Sequence, residues 1–210
     1  MIIETVEYRN HKINIFQDEC ASNPCEEFDG LGVMWCEHSH YNLGHADAEN
    51  TLSNYCYQYD TAYARKHNQG DTCLQDVIQS LEKLKAVILS LYLYDHSGIT
   101  MRCEPFGCDW DSGQVGIIVV TAHNMRASFN VKKVTKKIRE KAKKCLVGQV
   151  ELYDNYLTGN VYGFDIIDDG ESVDSCVGFY GSDYEKSGLI EHARSEIDYI
   201  DKQLPLEFTA

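Results

Sequence analysis

The chain has 210 residues, 43% of them hydrophobic and only three of them proline, which excludes a disordered or fibrous polymer and allows a sizeable core. Thirty-three Asp and Glu against nineteen Lys and Arg give a formal charge of −14, which excludes most of the surface as a seat for duplex DNA unless a local basic patch intervenes. No apolar run approaches the length of a membrane span, and "MIIETVEYRNHK" lacks the basic-then-apolar order of a secretory leader. Nine scattered cysteines therefore read as free thiols in a reducing cytoplasm.

Residues 2–8 and 12–17, "IIETVEY" and "KINIFQ", are short β-like runs separated by "RNH" and predict an N-terminal hairpin. "DECASNPCEEFDG" is loop chemistry, and "LGVMWCEH" after it predicts a short buried strand. From 39 to 70 the chain is polar, Tyr-rich and weakly periodic, which reads as an excursion from the core carrying a short helix. Asp71 or Thr72 is placed to cap a helix running to about Lys85, with Val77, Ile78, Leu81 and Leu84 on one face.

"AVILSLYLYD" predicts a buried strand, "GITMRCE" a short partner and "QVGIIVV" a central strand. Val134, Ile138, Ala142, Cys145 and Leu146 recur at helical spacing, and Tyr153 and Tyr156 extend the stripe across a weak point at Gly148. "NVYGFDII", "DDGE" and "SVDSCVGFYG" form a strand–turn–strand pattern turning at Asp169-Gly170. A final helix is predicted over about 183–202, with Leu189, Ile190, Ala193, Ile197 and Ile200 inward. No repeat or linker interrupts this order. It predicts an α+β fold in a single compact domain (1–210), a mainly antiparallel or mixed β-sheet with packed helices.

Three stretches carry candidate chemistry. "CEHSHYNLGHAD" holds Cys36, His38 and His40, which would point one way on a strand, and a thiolate with two imidazoles suits Zn²⁺. The plain alternative is a polar strand edge. "YDHSG" and "DSC" supply Asp95, His96, Asp174, Ser175 and Cys176, the residue types of a nucleophile, a base and an orienting carboxylate, with Asp111 a further partner. Neither Gly-x-Ser-x-Gly nor a cysteine-hydrolase signature accompanies them, and Asp-His-Ser-Gly is also ordinary turn chemistry. Trp110, between Asp109 and Asp111, is either tucked onto the core, the favoured reading, or offered as a binding anchor. "KKVTKKIREKAKK" (132–144) holds eight Lys and Arg against one Glu. It reads as a solvated helix face, or as a contact patch for an acidic partner or, through Lys136, Lys137, Lys143 and Lys144, for nucleic-acid phosphates.

The segments "SNPCEEFDGLGVMWCEHSHYNLGHAD" (22–47), "LYLYDHSGITMRCEPFGCDWDSGQVGIIVV" (91–120) and "VELYDNYLTGNVYGFDIIDDGESVDSCVGFYG" (150–181) cover about half the chain. In this order they resemble a family of uncharacterised proteins encoded by bacteriophages and mobile elements. The chain departs from that pattern at His40 and His45 and in the Tyr- and Cys-rich 48–70 stretch. Residues that fit it include Cys36, His38, Asp95, His96, Asp111, Ser112, Gln114, Cys176 and Tyr180. The resemblance implies a phage or plasmid gene acting in the bacterial host cytoplasm. Combined with the acidity, it leads us to expect a binding protein that inhibits or modulates a host component, such as a defence system. Trp110, Ser112, Gln114 and Tyr180 would be its contacts. The alternative is a small hydrolase or nuclease using His96, Asp95, Asp111 and Cys176, metal-assisted if Cys36, His38 and His40 hold Zn²⁺.

Overall fold

A computed structural model describes residues 1–67, 73–108 and 110–203. In chain order, strands β1 (Ile2–Tyr8) and β2 (His11–Gln17) are followed by α1 (Pro24–Glu27), β3 (Val33–Cys36), α2 (Ala48–Tyr59), α3 (Thr61–Lys66) and α4 (Leu74–Lys83). Then come β4 (Val87–Asp95), β5 (Ile99–Arg102), β6 (Ser112–Val120), α5 (Ala122–Ser128) and α6 (Lys136–Leu157). β7 (Val161–Asp168), β8 (Glu171–Tyr180) and α7 (Leu189–Gln203) follow. The strands form two four-stranded antiparallel sheets, β1-β2-β7-β8 and β3-β6-β4-β5, so the class is α+β. The chain divides into two compact units: residues 1–23 with 155–210, and residues 24–154 between them in sequence.

Unit 1 is the β1-β2-β7-β8 sheet with α7. Alternation puts Ile13, Ile15, Phe164 and Ile166 on one face, and the i, i+4 spacing of Leu189, Ala193 and Ile197 gives α7 a matching stripe. Each fully buried Ile, Leu or Phe here contributes roughly 1.5–3 kcal/mol. Asp169 and Gly170 both take positive φ, 46° and 91°, the backbone of a two-residue hairpin turn that twists with its strands. Arg9, at φ 54° in the β1–β2 turn, reaches Asp198 and Asp201 of α7 at 2.8 Å each. The segment is acidic, with sixteen carboxylates against five Lys and Arg, a formal −11.

Unit 2 holds the other sheet. Trp35, Ile117 and Val119 form one face with Leu52, Cys56, Tyr63, Val77 and Leu81 of the helices α2, α3 and α4. The segment expected to leave the core therefore supplies part of it. Its inward positions are Leu52, Ser53, Cys56 and Tyr63, apolar types separated by polar residues and mixed with a serine and a tyrosine. The cap expected at Asp71 or Thr72 lies outside the described residues, and Cys73 at the start of α4 makes no side-chain cap bond.

α6 is held against this unit by side chains at regular intervals. Arg139 donates to the carbonyls of Lys85 and Ala86, and the Gln149 amide both donates to and accepts from the Gly32 backbone. The Tyr153 hydroxyl accepts from Gly44 N at 2.8 Å, and Asp154 accepts from Thr100 Oγ1 and Met101 N at 2.7 Å each. The inward residues are Ala142, Leu146, Val150 and Tyr153, while Cys145, expected on that stripe, is exposed. The helix runs through Gly148 without a break.

Candidate functional site

The sequence-derived candidates of the 91–120 stretch converge at one end of the unit 2 sheet. β3 and β4 end there, at Cys36 and Asp95, and β5 and β6 begin there, at Ile99 and Ser112. The β4–β5 connection is the tight loop His96-Ser97-Gly98, with Ser97 at φ 58° and His96 N donating to Gly98 O at 3.0 Å. On β6, Val115 is an extra residue against β4: Leu91 pairs with Gly116 and Tyr92 with Gln114. Such a bulge shifts the facing of the residues beyond it, here Ser112 to Gln114. On its other side β6 continues the β3 register, where Val115 O accepts from Glu37 N at 2.8 Å and ties the end of β3 to β6.

These loops border an open groove of about 450 Å³ lined by Glu37, His38, Asp95, Trp110, Asp111 and Gln114 among others. Three carboxylates thus share one concavity with an indole. Trp110 is 97% exposed. The favoured expectation, a ring tucked onto the core, is corrected: Trp110 lies just before β6 begins, at the loop end of the sheet, and its ring lines the open groove. Tyr41 donates its hydroxyl to Asp95, which pushes the Tyr41 phenol pKa above its ordinary value. Its ring stacks on His38 at 5.0 Å. Sequence reasoning missed Tyr41 and Glu37; the signal available was their position in "CEHSHYNLG", beside the residues singled out.

His96 Nδ1 lies 3.5 Å from Asp111 Oδ2, both side chains facing solvent. Cys108 Sγ donates to the same oxygen at 3.7 Å, and Ser112 Oγ donates to Cys108 O. The carboxylate thus stands between thiol and imidazole, and the serine hydroxyl is engaged with backbone. The nucleophile types read from the sequence, Ser175 and Cys176, are on β8 in the other sheet, and beside His96 the described contacts of Cys108 and Ser112 run to Asp111 and to backbone. Gln114 Nε2 turns back to Gly116 O at 3.4 Å.

The other candidates lie elsewhere. Cys176 and Tyr180 are on β8 of unit 1, so the expectation that the 91–97 and 172–180 strands share one sheet is corrected. Alternating hydrophobicity marks strands but does not encode their partners. Tyr180 OH donates to Ser22 O at 2.7 Å, a tie between the two segments of unit 1. Cys36, His38 and His40 do not share a strand face, because β3 stops at Cys36. His38 Nδ1 accepts from His40 N, and His40 Nδ1 meets Ser39 Oγ at 2.9 Å. The Cys36 thiol is pushed up to about 12 by burial. Among the described residues no group of three or more His, Cys, Asp or Glu is arranged to hold a metal ion. His45 Nδ1 accepts from Met34 N at 3.0 Å, and burial lowers its pKa.

Lys136, Lys137, Lys143 and Lys144 fan over the exposed side of the first turns of α6. Among the described residues no helix is long and apolar enough to cross a membrane. Comparison with protein-family models, with curated proteins and with solved structures finds no match to this chain.

Proposed function

We propose that the chain is a binding protein whose working surface is the loop end of the β3-β6-β4-β5 sheet, and that its partner is a protein. The observation that carries this reading is Trp110, 97% exposed beside the carboxylates of Glu37, Asp95 and Asp111. A bare indole gains most when a partner pocket takes it out of water, and tryptophans of this kind dominate interface energetics. The surrounding carboxylates repel phosphates and favour a partner whose pocket is bordered by Lys or Arg, setting encounter rate and orientation. The resemblance to phage and mobile-element proteins supports an accessory role in a bacterial host cytoplasm. The partner would then be a host component, such as part of a defence system, that the protein inhibits or modulates. The hydrolase or nuclease alternative draws on the His96–Asp111 contact, and the place of its nucleophile Cys176 in the other sheet weighs against it.

The test is paired affinity capture from a bacterial host lysate with wild type and Trp110→Ala. A partner retained by wild type should bind the variant at least about 30-fold more weakly, as loss of an interface anchor worth about 2 kcal/mol requires. Asp95→Asn with Asp111→Asn should slow association and flatten its salt dependence. A partner held equally by Trp110→Ala would overturn the assignment.

A further inference from the structure

Unit 2 carries a second groove, of about 640 Å³, whose charge is opposite to the first. Lys85, Arg126, Lys132, Lys133 and Arg139 line it, with Glu82 the one carboxylate. Residues 122–144 hold nine Lys and Arg against a single Glu, a local +8 in a chain of formal charge −14. Among the described residues of that stretch, Lys143 alone is ion-paired, with Glu140 at 3.3 Å. Unscreened cations gathered at this density repel one another, and an anion relieves that repulsion.

A second, independent observation concerns Lys85. It sits just past the end of α4 at φ 59°, the left-handed position that helices ordinarily give to glycine. Lys85 N donates to Glu82 O and Ala86 N to Leu81 O, closing the helix in the usual way. Arg139 of α6 then donates to Lys85 O at 2.7 Å and to Ala86 O at 3.0 Å. Arg139 thus braces the backbone at the left-handed lysine, and both residues line the groove.

We propose that this groove and the adjoining face of α6 bind the phosphodiester backbone of a duplex nucleic acid without reading its sequence. The cations continue beyond the groove: Lys137, Lys141 and Lys144 recur at i, i+4 and i+7 along α6. At about 1.5 Å rise per residue they extend the site by roughly 10 Å, more than one phosphate group fills. None of the lining residues is aromatic. The nearby Phe129 ring is covered by the Lys141 ammonium at 4.9 Å. Single-strand binders depend on aromatic stacking platforms, so the chemistry favours a duplex held by its phosphates. This inference is independent of the Trp110 surface.

The test is fluorescence anisotropy with labelled 20-base-pair DNA and RNA duplexes of two unrelated sequences each, titrated from about 25 to 200 mM KCl, a range over which phosphate contacts weaken steeply. Binding to DNA, RNA or both, alike for the two sequences, with log K falling by about 0.9 per phosphate contact against log salt, is the expected result. Lys132→Glu with Lys133→Glu should weaken it at least about 30-fold, since each change removes one contact and adds a repulsion. Lys85→Gly suits the left-handed backbone, so it should melt no lower than wild type while losing one contact and about 0.9 of the salt slope. No binding at the lowest salt, tighter binding to the separated strands, or affinities untouched by these substitutions would each overturn the proposal.

Discussion

Trp35 and Trp110 place the same side chain in opposite settings, 4% and 97% exposed. The difference was half legible: "VMWC" surrounds one indole with strand formers, and "CDWDSG" surrounds the other with turn formers. What the sequence did not show is where β3 stops, and that end point removes the shared strand face of Cys36, His38 and His40. The cysteines offer a direct check at this scale. None of the nine is in a disulfide. Cys20, Cys73 and Cys145 are exposed, whereas burial pushes Cys25 and Cys36 up to about 12 and Cys103 to about 11. Only the thiolate attacks a disulfide reagent, and at pH 8 a thiol of pKa 12 is ionised in roughly one molecule in ten thousand. Native protein should therefore show a fast phase from the exposed thiols, with Cys25, Cys36 and Cys103 reacting orders of magnitude more slowly until denaturant is added. Mass mapping of the labelled sites at early times checks this, and Cys36 labelled as fast as Cys145 would contradict it.

Among the elements, legibility followed the strength of the local signal. α6 was readable from Ile138, Ala142 and Leu146. The β7–β8 hairpin was readable from Asp169-Gly170, because few other pairs accept positive φ twice. α2 and α3 were not. Their buried residues are Ala48, Leu52, Ser53, Cys56 and Tyr63, and the hydrophobic stripe is diluted by Ser and Tyr. Asp60 still marks the start of α3, where its side chain accepts from Ala62 N and Tyr63 N. Gly148 allows a measurement on a whole helix. A Cβ added there meets nothing within 4 Å, and the position is mid-helix and exposed. Gly148→Ala should raise stability by about 0.5–1 kcal/mol, read as a higher urea midpoint with an unchanged slope. A lower midpoint would mean that the helix depends on flexibility at that point.

For the molecule as a whole, the α+β class followed from the order of elements, while the division into two sheets did not. Lys12 pairs with Ile167 across most of the chain, and no local pattern announces a partner so distant. Charge divides just as unevenly: −11 falls on the segments of unit 1 and −3 on those of unit 2, so the net −14 describes neither. The nested order of the segments also bears on how the chain acquires its structure as it leaves the ribosome. The β1–β2 hairpin emerges first, yet two strands alone are marginal in water, and β7 is synthesised only after all of residues 24–154. Until then Ile13 and Ile15 have no β7 or α7 to cover them, while the intervening residues close shorter loops and fold sooner. Pulse-labelled amide exchange during refolding should find β4 and β6 protected before β2 and β7, and the reverse order would refute this. The nascent hairpin is then a waiting, adhesive edge, and it is the segment a chaperone would be expected to hold during synthesis.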